Sequence, residues 1–110
     1  MPGLSRSLIV LYCSDLDASR AFYGDGLGLE LRPERHGSGP VHYSCDLGGL
    51  VLELYPAGDR PPTRTRLGLV VDDPPAALDR LRAAGATVRT GPPVTVTDPD
   101  GSTVELHAAG

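Results

Sequence analysis

The second half of this sequence repeats the first, and this repeat limits the fold more than any other feature. Residues 101–110 align with residues 49–58 without a gap: both segments begin at a glycine, contain a Glu-Leu pair and end in Ala-Gly. Before each segment, a helical pattern ends at a glycine, which is Gly28 in the first half and Gly85 in the second. We therefore expect one structural unit that is present twice.

Each half has the same order of predicted elements, namely a strand, a helix and three further strands. Apolar patterning predicts strands at residues 7–14, 29–34, 41–46 and 50–55, and again at 66–71, 87–89, 94–97 and 102–107. The first helix covers residues 16–25 after Asp15 as its N-cap, and the second begins at Pro74 after Asp73. Two βαβββ modules predict an α+β fold and exclude a doubly wound parallel sheet.

A chain of 110 residues makes one domain. The first module is expected at about residues 5–56 and the second at about residues 65–110. The stretch between them, about 57–64, is rich in proline and charge and is typical of a linker.

Composition narrows the range of partners. The net charge is −4 and no run of basic residues occurs, which argues against a nucleic-acid partner. No apolar stretch is long enough for a membrane span, and the N-terminal residues do not resemble a signal peptide. Cys13 and Cys45 are then expected to be reduced thiols in a soluble, cytoplasmic protein.

Four short motifs occur in a characteristic order: SDLDASRAFY at 14–23, GLGL at 26–29, VDD at 71–73 and DPDG at 98–101 before Glu105. In this order the chain resembles the vicinal-oxygen-chelate superfamily of glyoxalases, bleomycin-resistance proteins and extradiol dioxygenases. The resemblance implies an eight-stranded cup with two helices outside. It also implies pairing of modules between subunits, and we expect a homodimer because a short chain with open half-cups gains from a partner.

Metal-using members of this superfamily take ligands from four strand positions, which correspond here to Leu8, Glu53, Arg66 and Glu105. Leucine and arginine cannot bind a metal ion. We therefore expect no cofactor, although a divalent metal stays open as an alternative. Its candidate ligands are Glu53, Glu105 and His107, and a rebuilt set would add His42, whereas His36 is interpreted as a solvated turn residue.

Strand alternation separates an apolar face, expected to lie under the helices, from a mixed face that is typical of a small-molecule site. The candidate ligand-binding residues are on the mixed face: Leu8, Tyr12, His42, Glu53, Tyr55, Arg66, Glu105 and His107. Arg66 is expected to form an ion pair with Glu53 or Glu105, and the same charges could also bind a polar group of a ligand.

Three functions remain open. The first is a metal-free binding protein of the bleomycin-resistance type, which sequesters or carries a partly aromatic or cationic small molecule. The second is a lyase, isomerase or oxygenase in which Glu53 or Glu105 is a metal ligand or a general base with a raised pKa. The third is a module with a filled cavity that binds a protein partner. The fold alone does not decide among them.

Overall fold

The computed structural model describes residue 3 and residues 5–109. Met1, Pro2, Leu4 and Gly110, the last of which closes the sequence repeat, lie outside the described residues. The first module consists of β1 (Ser7–Cys13), α1 (Leu16–Arg20), a wider π-helical segment (Ala21–Gly26), β2 (Arg32–Glu34), β3 (His42–Leu47) and β4 (Leu50–Pro56). The second consists of β5 (Arg66–Val71), α2 (Pro74–Ala83), β6 (Val88–Arg89), β7 (Val94–Thr97) and β8 (Thr103–Ala108).

The two modules form equivalent four-stranded sheets. The strand order is β1-β4-β3-β2 in the first sheet and β5-β8-β7-β6 in the second. In each sheet the first and last strands of the module are parallel, and the remaining neighbours are antiparallel. The predicted α+β fold of two βαβββ modules is confirmed.

Both helices begin as their capping residues predict. The side chain of Asp15 accepts a hydrogen bond of 3.1 Å from the backbone N–H of Ala18, and Asp73 accepts one of the same length from Ala76. The second helix also has Pro74 at its first position, where the missing N–H has no helical partner to lose.

β2 is shorter than the sequence predicts. Residues 29–34 were expected to be extended, but only Arg32–Glu34 pair with β3. The backbone N–H of Leu29 donates to the carbonyl of Tyr23, and that of Leu31 donates to Leu29. These local bonds at the helix end occupy the amides that a longer strand would need.

One hydrophobic core joins the modules beneath the helices. It contains Phe22, Tyr23 and Leu81 from the helical segments and Leu27 directly after the first of these, together with alternate residues of the sheets. The sheet residues are Leu11, Cys13, Leu52, Leu54, Leu69, Val71, Val96, Val104 and Leu106. Both cysteines are free and buried. No helix in the described part of the chain is both long and apolar enough to cross a membrane.

Candidate functional site

Each sheet has one face against the core and one open face, as strand alternation predicts. The first open face carries side chains from all four strands of its sheet: Leu8, Val10, Tyr12, Glu34, His42, Ser44, Val51, Glu53 and Tyr55. The second open face carries Arg66, Gly68, Val70, Thr103, Glu105 and His107. Leu8 is 59% exposed and Val70 is 65% exposed, so each open face presents apolar surface to solvent.

Aromatic rings form a continuous row across the first open face. The rings of Tyr12 and Tyr55 meet edge to face at 6.3 Å, and Tyr55 stacks on His42 at 4.0 Å with an interplanar angle of 10°. His36 continues the row at 5.1 Å from His42. At the other end, the guanidinium of Arg60 lies 4.3 Å from the centre of the Tyr12 ring. The row therefore brings together three of the predicted ligand-binding residues.

His42 lies at the centre of this row and is almost fully buried, with 1% of its surface exposed. Its Nδ1 lies 3.3 Å from the carbonyl oxygen of Pro40, while Nε2 lies 3.4 Å from Glu34 Oε1 and 3.9 Å from Glu53 Oε2. Nε2 has no hydrogen-bond partner among the described residues. The sequence predicts His42 on the open face but gives no role to Glu34, which the β2–β3 register places directly opposite it.

Two carboxylates of the first open face, Glu34 and Glu53, lie close to His42 and affect their aromatic neighbour Tyr55. The pKa of Tyr55 is raised, first by desolvation and then by the neighbouring charges of Glu53 and Glu34. A tyrosine in this setting keeps its proton at neutral pH. The face therefore offers aromatic surface, a neutral hydroxyl and negative charge, a combination that favours cationic or electron-poor planar groups.

The second open face carries a smaller polar cluster. Arg66 Nε lies 2.5 Å from Glu105 Oε2, and His107 Nε2 lies 2.9 Å from Glu105 Oε1. Of the two expected pairings of Arg66, the structure contains the one with Glu105. Because the Arg66 side chain is 57% exposed, this is a surface ion pair, for which stabilisation of about 1 kcal/mol or less is typical.

Glu105 does not meet the requirement for a general base with a raised pKa. The hydrogen bond from His107 and then that from Arg66 lower the pKa of its carboxyl group below the ordinary value of 4.5. The expectation of a raised pKa is therefore wrong for Glu105, because its neighbours stabilise the charged form. The Glu105 carboxylate instead accepts hydrogen bonds from Arg66 and His107, which favour its ionised form.

The two open faces do not share a site within one chain. Among residues 3 and 5–109, no ion pair or hydrogen bond joins Glu53 to Arg66, or His42 to Glu105 or His107. A cavity of about 880 Å³ lies instead between the helices, beside Phe22 and Leu81, and one of about 630 Å³ lies at the linker. The rebuilt metal set of His42, Glu53, Glu105 and His107 is thus not brought together in a single chain.

Comparison with known proteins identifies the family. Residues 8–107 match the family model of the glyoxalase-like domain. The chain belongs to this family. Among curated proteins, no sequence matches the chain significantly.

Solved structures similar to this glyoxalase-like domain include a binding protein as well as enzymes. TnmS3, an antibiotic binding protein from Streptomyces sp. CB03234, is 22% identical with a TM-score of 0.71, over 100% of this chain and 98% of that one. A lactoylglutathione lyase from Agrobacterium tumefaciens is 23% identical with a TM-score of 0.67, over 99% and 96%. A glyoxalase/dioxygenase from Nostoc punctiforme is 22% identical with a TM-score of 0.73, over 98% and 91%. At these identities the likeness establishes the fold.

The residues at the superfamily's metal positions do not fit a divalent ion in this glyoxalase-like domain. Leu8 has no ligand atom and is largely exposed. The guanidinium of Arg66 occupies one side of Glu105, where a fixed positive charge would repel a cation. Of the four positions only Glu53 offers a carboxylate without such a partner. In the described part of the chain, the metal-capable group of three is a different one: Glu34, His36 and His42.

Proposed function

We propose that this glyoxalase-like domain is a small-molecule binding protein of the bleomycin-resistance type, which sequesters or carries a partly aromatic or cationic ligand. The observation that carries the proposal is the row of Tyr12, Tyr55 and His42 beside the carboxylates of Glu53 and Glu34. Aromatic faces bind planar groups by stacking, and the adjacent carboxylates bind cationic ones. The fold likeness to an antibiotic binding protein is consistent with this function.

The proposal includes a homodimer, in which the first open face of one chain lies opposite the second open face of another. The first face contributes the carboxylates of Glu34 and Glu53, and the second contributes the exposed guanidinium of Arg66, which has several N–H donors besides the one that bonds to Glu105. Pairing would also cover Leu8 and Val70. The ligand would then lie between the faces, with the remaining predicted residues Arg66, Glu105 and His107 on its second side.

A cytoplasmic location also belongs to the proposal. It rests on the two free and buried cysteines, Cys13 and Cys45, since thiols that persist unpaired are typical of a reducing compartment.

A thermal-shift screen tests the proposed function. Planar and cationic natural products are screened against the EDTA-treated protein, and each binder is repeated on Glu53→Gln and Tyr55→Leu. We expect both variants to reduce the shift, because one loses charge and the other loses stacking surface. Tyr43→Phe is the matched control, since Tyr43 packs against the core. If the compounds raise the Tm of Glu53→Gln and Tyr55→Leu as much as that of the wild type, the ligand binds at another site.

The second candidate is a lyase, isomerase or oxygenase. One observation favours it: the Glu53 side chain is only 14% exposed and lies 3.9 Å from His42 Nε2, which has no hydrogen-bond partner within residues 3 and 5–109. A shielded carboxylate beside an imidazole is a suitable arrangement for moving a proton. Turnover of a glyoxal-derived thiol adduct or a catechol, lost in Glu53→Gln, would favour this function over carriage.

A further inference from the structure

We propose that Glu34, His36 and His42 form a binding site for a divalent transition-metal ion of the zinc type. The three residues come from β2, from the following turn and from β3, so the site is separate from the superfamily's ligand positions. Their ligand atoms all lie within 4.8 Å of one another. Two imidazoles and one carboxylate are a donor set that zinc and its neighbours in the first transition series bind well.

The strongest support comes from His42 Nε2. Because Nδ1 of the same ring faces the carbonyl of Pro40, the bound proton is expected on Nδ1, which leaves a lone pair on Nε2. That lone pair faces carboxylate oxygens of Glu34 and Glu53 at 3.4 and 3.9 Å. Three acceptors then lie close together beside a buried imidazole, although Glu34 itself is half-exposed, and a cation would stabilise this arrangement.

The spacing of the ligand atoms also fits a small ion. Zinc bonds of about 2.0–2.2 Å place neighbouring ligand atoms roughly 3.3 Å apart in a tetrahedral arrangement. His42 Nε2 lies 3.4 Å from Glu34 Oε1, and His36 Nε2 lies 4.0 Å from the same oxygen. Only the His36 side chain, which is 74% exposed, has to move to close the set.

The site is partly preorganised and partly open. Stacking on Tyr55 and the contact with Pro40 fix the ring of His42, which is how outer contacts commonly orient a metal-binding histidine. Three protein ligands leave a fourth coordination position for water or for an oxygen or nitrogen atom of a bound molecule. Since His42 belongs to the aromatic row, that position lies beside the proposed ligand surface.

A proton on Nε2 is the competing explanation, because an imidazolium would also satisfy Glu34 and Glu53. The two explanations differ at His36. A protonated His42 pairs with the carboxylates without any help from His36, whereas a metal ion takes His36 as its third ligand. His36 is exposed, so replacing it tests the site with little effect on folding.

The test is calorimetric titration of the EDTA-treated protein with zinc chloride, in the absence of any organic ligand. We expect saturable binding of one ion per chain, a rise in Tm on zinc addition, and at least a tenfold loss of affinity in both His36→Gln and Glu34→Gln. Substitution with cobalt should give visible absorption bands of a four-coordinate ion, which both variants weaken.

Glu30→Gln is the matched control, since it removes an exposed carboxylate shortly before β2 that is outside the group of three. It should leave zinc affinity within about twofold of the wild-type value. A flat titration, or an isotherm that is unchanged in both His36→Gln and Glu34→Gln, would overturn the proposal. Neither result depends on the screen for organic ligands, which is carried out in EDTA.

Discussion

The hydroxyl of Tyr23 donates a buried hydrogen bond of 2.7 Å to Asp98 Oδ2 and so connects the first module to the second. The other oxygen of Asp98 accepts backbone hydrogen bonds from Asp100 and Ser102, which fold the turn between β7 and β8. Burial, followed by the charge of Asp98, raises the pKa of Tyr23 well above its usual range. The tyrosine is therefore a permanent donor, and the turn of one module is held by the helical segment of the other.

Replacing Tyr23 with phenylalanine should destabilise the protein by about 1–3 kcal/mol, because a buried carboxylate oxygen loses its partner while the packing of the ring is kept. Urea unfolding measures this change. Tyr43→Phe is the control, since that tyrosine also packs on the core but no hydrogen bond of its hydroxyl is found in the described part of the chain. Equal stability of the two variants would contradict a connecting role for Tyr23.

Gly26 permits the close approach of the two helical segments. A Cβ atom at this position would lie 2.6 Å from Leu81 Cδ2, and Leu81 is fully buried in the core. Gly26→Ala should therefore destabilise the fold by about 1–3 kcal/mol through overpacking. Gly24→Ala lies in the same helical segment, and its Cβ would come no closer than 3.3 Å to any neighbour, the nearest being the half-buried Leu31, so it should cost less. Thermal unfolding of the two variants gives the comparison, and a greater loss in Gly24→Ala would refute the argument.

The carboxyl group of Glu105 should titrate below pH 4.5, its ordinary value, because the hydrogen bonds from His107 and Arg66 favour the ionised form. A lowered pKa in the folded state means that this group stabilises the fold above pH 4.5 and that its contribution is lost as the pH falls through the lowered value. Carbon-detected NMR of the side-chain carboxyl measures the midpoint. It should move upward in His107→Gln, and a midpoint at or above 4.5 in the wild type would exclude this network.

The sequence predicts the fold well because the repeat and the capping residues act locally. Asp15 and Asp73 begin the helices, and the alternation in β1, β4, β5 and β8 places the correct face against the core. The error in β2 has a local cause, since the backbone N–H of residue 29 donates to the carbonyl of residue 23 at the helix end and that of residue 31 donates to the carbonyl of residue 29, rather than to β3. The apolar pattern of residues 29–34 does not show that these backbone N–H groups have other hydrogen-bond acceptors nearby.

The candidate site is less predictable because it depends on register between strands. Alternation places His42, Glu53 and Tyr55 on one face, and their contacts follow from the β3–β4 pairing. Glu34 faces His42 only because the short β2–β3 hairpin pairs them directly, and His36 reaches them only because the turn folds back over the sheet. If the β2–β3 register had been assigned from the sequence, it would have placed Glu34 opposite His42. The sequence contains no comparable signal for the position of His36, an exposed side chain in a turn.

The proposed homodimer predicts a mass of twice 11.5 kDa in sedimentation equilibrium at tens of micromolar. Leu8→Asp and Val70→Asp each place a charge on apolar surface of an open face, so each should shift the protein towards the monomer. Val41→Asp is the control, because Val41 is also exposed but precedes β3 and is not one of the strand residues of either open face. In a mixed dimer of the two variants, one pair of opposed faces carries both changes and the other pair carries neither, so mixing should restore dimerisation only in part. A wild-type mass near 11.5 kDa would refute the dimer and would leave each open face to bind its ligand alone.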